Sequence, residues 1–102
     1  MKEIKIIIAE SSDIMLNGIT AMLNGRPEVK VTGKATGYST LSKLLENNPG
    51  DIVLLGPILT GKYPHELSEE IKSDFPNARV IEIDLKDEQD SIIDKIKLAA
   101  SA

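Results

Sequence analysis

Runs of apolar residues with β-strand character alternate with stretches whose apolar residues recur at helical spacing. Ile4 to Ala9 (IKIIIA) is a β-branched run, apolar on both faces, of the kind that forms a central parallel strand. Ser11, Ser12 and Asp13 follow as N-cap and first-turn residues. Ile14, Met15, Ile19, Met22 and Leu23 then give a helical stripe, which Asn24-Gly25-Arg26-Pro27 ends, with Gly25 suited to the position just past the helix. Val29 to Ala35 (VKVTGKA) alternates like a half-buried or edge strand. Ser39 or Thr40 is placed to cap a helix carrying Leu41, Leu44 and Leu45, broken by Asn47-Asn48-Pro49-Gly50.

Ile52 to Leu55 (IVLL) is a second central-strand run, followed by a loop from Gly56 to Tyr63. Pro64 suits the first turn of a helix that buries Leu67, Ile71 and Phe75, and Pro76-Asn77 ends it. Arg79 to Leu85 reads as a strand in which Glu82 is out of place for full burial. Asp87 to Ala100 reads as a final helix with Ile92, Ile93, Ile96 and Leu98 inward, starting near Asp90 or Ser91. The order βαβαβαβα predicts a parallel sheet wrapped by right-handed crossovers, with helices on both faces.

The length of 102 residues fits one small domain. Phe75, Tyr38 and Tyr63 are the only aromatics, so the core is aliphatic. A net charge of −4 argues against a nucleic-acid or anionic-membrane surface. The chain has no cysteine, which removes disulfide and thiolate chemistry. The apolar run near the N-terminus is too short for a membrane span and lacks the features of a signal peptide. The expectation is a cytoplasmic protein without cofactor or metal.

In open parallel sheets, sites lie at the carboxyl ends of the strands. Glu10 and Ser11 stand there after the first strand, Gly56 after the third and Asp84 at the end of the fourth. On these residues the chain resembles the receiver domains of bacterial response regulators. IIIAESSDIMLNGITAML is similar to the start of a receiver of the type fused to helix-turn-helix output domains. GDIVLLGPILTGKYPHEL resembles the segment around the phosphorylated aspartate, and NARVIEIDL the fourth strand.

The resemblance implies a three-layer, flavodoxin-like (CheY-like) α/β fold over residues 1–102, with about four strands and four helices. A fifth strand is missing or displaced. Carried over position by position, the acidic pair of the family becomes Glu10 and Ser11. The acceptor aspartate becomes Gly56, and the switch hydroxyl becomes Asp84. The lysine of the fifth strand has no counterpart. Aspartyl phosphorylation needs a carboxylate nucleophile, and Mg²⁺ is usually held through one or two carboxylates plus phosphate oxygens. Gly56 supplies no side chain, and Ser11 weakens the metal site.

The resemblance therefore implies a degenerate phosphorylation pocket (Glu10, Ser11, Gly56, Asp84) and a pseudo-receiver that acts by protein–protein contact, as a homodimer or docked on a partner. No direct nucleic-acid or membrane binding is expected of this domain. It would be the N-terminal part of a longer regulator, with a helix-turn-helix output domain or, as in TadZ/CpaE-like pilus-assembly proteins, a ParA/MinD-type ATPase. The alternative is a small-ligand or cation sensor, because loss of the side chain at Gly56 leaves room in the pocket.

Other candidate chemistry is weaker, and no enzyme is expected. Ser11-Ser12-Asp13 has no neighbouring base and is better read as a helix cap. His65 is the only histidine and has no cysteine to join it as a metal ligand. Gly33 and Gly37, flanking Lys34-Ala35-Thr36, do not fit a phosphate loop, and neither do Gly56, Gly61 and Lys62. The final helix has two readings. It is the family's fourth helix, with the chain ending before the fifth strand, or it packs as the terminal helix after deletion of the fourth helix and fifth strand. Matching LAASA to the end of the family's fourth helix favours the first.

Overall fold

The structure is a computed structural model that describes residues 3–48, 51–56, 64–83 and 87–101. The elements follow the expected order: β1 (Ile4–Ala9), α1 (Asp13–Asn24), β2 (Val29–Ala35), α2 (Tyr38–Asn47), β3 (Ile52–Leu55), α3 (Pro64–Asp74), β4 (Arg79–Glu82) and α4 (Gln89–Ser101). The strands form one parallel sheet in the order β2-β1-β3-β4. β1 and β3 are central and β4 lies outermost, which explains why Glu82 is tolerated: it is exposed on an outer strand.

Each strand sends alternate side chains to opposite faces. Ile6, Ile8, Ile52, Leu54, Ile81 and Ile83 enter one core with Leu16, Ile19 and Leu23 of α1. Ile7, Ala9, Val53 and Leu55 enter the other with Leu41 and Leu45 of α2 and Leu67 and Ile71 of α3. This is the three-layer arrangement that the alternating pattern predicts.

The position of α4 corrects the favoured reading of the last helix. The step from β1 to β2 runs one way along the sheet, and the steps from β2 to β3 and from β3 to β4 run the other way. Right-handed crossovers therefore put α1 on one face and α2 and α3 on the other. A further helix leading past β4 would join α2 and α3. Instead Ile92, Ile93 and Ile96 of α4 pack into the core beside α1, so the segment sits as a terminal helix. The physical reason is coverage: α4 shares with α1 the task of burying the β3 and β4 side chains on that face. An Arg79 guanidinium N–H donates to the Ala99 carbonyl at 2.6 Å, and the Arg26–Asp90 pair at 3.2 Å and the Lys97–Glu28 pair at 3.9 Å add contacts. These pairs are largely exposed, so packing dominates the attachment.

Local details refine the helix ends. The Ser12 side chain caps α1 by accepting from the Met15 N–H at 3.4 Å. Gly25 ends α1 with φ −79°, in the right-handed region, so no left-handed turn is needed there. The N-cap of α2 is Gly37, and Ser39 and Thr40 lie within the helix. Ile14 and Leu98 are 85% and 71% exposed, whereas Leu16 is buried. The inward stripe of α1 is Leu16, Ile19 and Leu23, at helical spacing.

The register between β1 and β2 slips by one residue, from Ile6↔Val31 to Ile7↔Gly33. Thr32 is the extra residue of this bulge. Its hydroxyl lies 2.7 Å from a carboxylate oxygen of buried Asp51 and 3.2 Å from the Ile6 carbonyl. Next to it, Gly33 makes room for α2: a Cβ there would lie 2.8 Å from Leu44 Cδ2.

Candidate functional site

Glu10 and Gly56 follow the paired residues Ala9 and Leu55 at the carboxyl ends of the two central strands. The Gly56 N–H donates to the Ala9 carbonyl at 2.8 Å, and the Glu10 N–H to the Ala35 carbonyl at 2.9 Å. The sheet pairing thus extends into the site and fixes both backbones. Both residues are buried, and Glu10 has no exposed surface at all.

The Glu10 side chain turns toward Gly56. A Cβ built on Gly56 would lie 2.1 Å from Glu10 Oε1, 2.9 Å from Cδ and 3.0 Å from Cβ. The carboxylate therefore occupies the volume into which a side chain at position 56 would project. Its other oxygen, Oε2, accepts from the Ser12 N–H at 2.6 Å, at the start of α1. A helix N-terminus offers unpaired N–H groups and a favourable dipole to a negative charge. A charge-assisted bond of this kind is what lets a carboxylate remain in a buried place. Ser11 is half-buried beside it.

This corrects the expectation of room around Gly56. The space released by the missing side chain is taken up by Glu10, whose chain is long enough to reach across from β1. Of the sequence-derived constellation, the structure brings Glu10, Ser11 and Gly56 together, while Asp84 lies outside the described residues. Among the described residues no group of three or more histidine or acidic side chains is placed to hold a metal ion.

Two features were not anticipated from the sequence. An open cleft of about 360 Å³ lies at the opposite end of the sheet, lined by Lys5, Asp51, Ile52 and Arg79 among others. It mixes charges of both signs and lies away from the carboxyl ends of the strands. The second is Tyr38, whose hydroxyl donates to an Asp74 carboxylate oxygen at 2.5 Å and so links α2 to the end of α3. Partial burial raises the Tyr38 pKa well above its ordinary value. The bond to Asp74 and the charges of Asp74 and Glu70 push the same way. Alternating apolar spacing gives no signal for either feature, because both depend on which loops and helix ends meet.

No protein-family model and no curated relative matches the chain. Solved structures do. RcsB from Salmonella enterica serovar Typhimurium, bound to the promoter rprA, is similar with TM-score 0.70 and 24% identity over 79% of this chain and 42% of that one. The signal receiver domain of NarL from Mycobacterium tuberculosis is similar with TM-score 0.72 and 18% identity over 97% of this chain and 79% of that one. A further Salmonella typhimurium RcsB structure gives TM-score 0.77 and 18% identity over 99% of this chain and 62% of that one. The chain thus has the fold of a response-regulator receiver domain, and it spans well under two thirds of the first of these proteins. Among the described residues no helix is long and apolar enough to cross a membrane.

Proposed function

We propose that the chain is a receiver-like regulatory module that works through protein–protein contact and without phosphorylation, as part of a longer regulator. The observation that carries this reading is Gly56, which the resemblance aligns with the phosphorylated aspartate of receivers and which has another residue's carboxylate packed into its side-chain space. No nucleophile is available at that position.

With that chemistry absent, the surface is what remains to act. The outermost strand, β4, offers its flank at Arg79–Glu82 for a second copy or a partner chain. The likeness to promoter-bound RcsB supports an architecture with a nucleic-acid-binding output domain over one with an ATPase. The ligand-sensor alternative gains no support from a pocket filled by Glu10.

Two measurements test the proposal. Incubation of the chain with acetyl phosphate and Mg²⁺, followed by intact-mass analysis, is expected to show no phosphate adduct; an adduct would refute phosphorylation independence. Pull-down or light scattering of the full-length regulator, with and without this domain, is expected to show loss of association on its removal. Unchanged association would refute the interaction role.

A further inference from the structure

We propose that the cleft at the amino ends of the strands binds a free α-amino acid with a short aliphatic side chain. The site is remote from Glu10 and Gly56, and the inference does not depend on the pseudo-receiver reading.

Asp51 carries the argument. It directly precedes β3, lines the cleft and is only 7% exposed. One carboxylate oxygen, Oδ2, accepts from the Thr32 hydroxyl at 2.7 Å. The other, Oδ1, has no such partner, and among the described residues no unpartnered side-chain oxygen is sealed from solvent. Oδ1 therefore opens onto the cleft. A carboxylate so nearly buried gains most from a cationic donor, because charge-assisted bonds are the strong ones.

Lys5 supplies the opposite charge. Ile6 pairs with Ile52 across β1 and β3, so Lys5 and Asp51, one residue earlier in each strand, are cross-strand neighbours at the same end of the sheet. Both line the cleft, and they form no ion pair with each other. A cation and a carboxylate thus stand side by side and unjoined. A ligand with an ammonium and a carboxylate on one carbon can bridge them. Glu3 and Arg79 add one charge of each sign, so the balanced lining favours a dipolar ligand over a simple anion or cation. Arg79 is already engaged with the Ala99 carbonyl at 2.6 Å, which leaves Lys5 as the partner for the ligand carboxylate. Ile4, Ile52 and Ala100 form the apolar part of the lining and select an aliphatic side chain. The volume of about 360 Å³ lies at the lower end of the range for small-ligand sites, which suits a single amino acid.

The test uses the unmodified chain with L-leucine as probe, titrated at neutral pH and followed by melting temperature and amide chemical shifts. Binding is expected to raise the melting temperature by about 2–3 °C when the leucine concentration equals Kd, with shifted amides at Lys5, Ile52 and Arg79. Isopentylamine and isocaproate each keep the aliphatic chain and one of the two charged groups, and each is expected to bind at least about tenfold more weakly. Lys5→Met, at an exposed position, is expected to weaken leucine binding about tenfold. Asp51→Asn keeps an acceptor for the Thr32 hydroxyl and is expected to weaken it by a similar factor.

An unchanged melting temperature and spectrum in millimolar leucine would overturn the proposal. So would amide shifts centred on Glu10 and Gly56, unaltered affinity in Lys5→Met or Asp51→Asn, or equal affinity for either half-ligand. None of these results bears on phosphorylation, so the two readings fail separately.

Discussion

Thr32 holds Asp51 across the sheet: the hydroxyl of the bulged residue in β2 lies 2.7 Å from the buried carboxylate that precedes β3. The two residues are separated by the whole of α2 in the chain, so the contact forms only once β2 and β3 are both docked on β1. It also puts a polar group beside the Ile6 carbonyl at the point where the strand pairing slips. Thr32→Val keeps the shape and removes the donor. The expected loss is about 1–3 kcal/mol, the range for depriving a buried acceptor of its partner. Urea unfolding at neutral pH measures it, and a loss below the error of the measurement would show that the carboxylate is satisfied otherwise.

The assignment of α4 to the α1 face predicts the response to a cavity. Ile96 is fully buried in the core that α4 shares with α1. Ile96→Ala is expected to cost about 2–5 kcal/mol, whereas truncation of exposed Leu98 on the same helix should stay within about 0.5 kcal/mol. If both truncations prove equally mild in chemical denaturation, α4 does not pack as described.

Tyr38 predicts an alkaline effect. Its pKa is raised in the folded state, first by burial and then by its bond to Asp74. The folded chain thus holds the phenolic proton more tightly than the unfolded chain does. This contribution to stability is complete below the unfolded value of about 10 and is lost as pH rises through the higher folded value. Melting temperatures between neutral pH and pH about 11 are expected to fall more steeply for the parent than for Tyr38→Phe, which has no such proton. Parallel curves for the two proteins would contradict the assignment.

Gly33 is a packing residue, and this too is measurable. A methyl group there meets Leu44 Cδ2 at 2.8 Å, the flexible end of a side chain. Gly33→Ala should cost about 1–3 kcal/mol by overpacking. In a Leu44→Ala background the same change should cost less than in the parent, because the clashing atoms are gone.

The fold was readable in the sequence where burial is complete. IKIIIA and IVLL have no polar face to solvate, so both had to be central strands, and β1 and β3 are central. The α1 stripe was right but for its first residue: Ile19, Met22 and Leu23 pack on the core, whereas Ile14 faces solvent and Leu16 is buried, because a single apolar residue at a helix start does not set the phase. The face chosen by α4 was not legible, since Ile92, Ile93 and Ile96 would suit either side of a sheet covered on both. At the site, the positions of Glu10 and Gly56 followed from strand ends. The reach of the Glu10 side chain into the neighbouring strand's space did not, because it depends on a rotamer and on the Ser12 N–H.

The bulge at Thr32 has a further effect on β2. Before it, odd-numbered Val29 and Val31 point toward the layer of α1 and α4. After it, odd-numbered Ala35 points toward the layer of α2 and α3. One inserted residue reverses the parity of the strand midway, so a short edge strand serves both hydrophobic cores in turn. Uniform pairing without the slip would set Thr32 opposite Ile7 and Lys34 opposite Ala9, turning the lysine into the layer of α2 and α3 where Ala35 now lies. The irregularity is what makes this polar, glycine-containing strand compatible with a sheet buried on two sides.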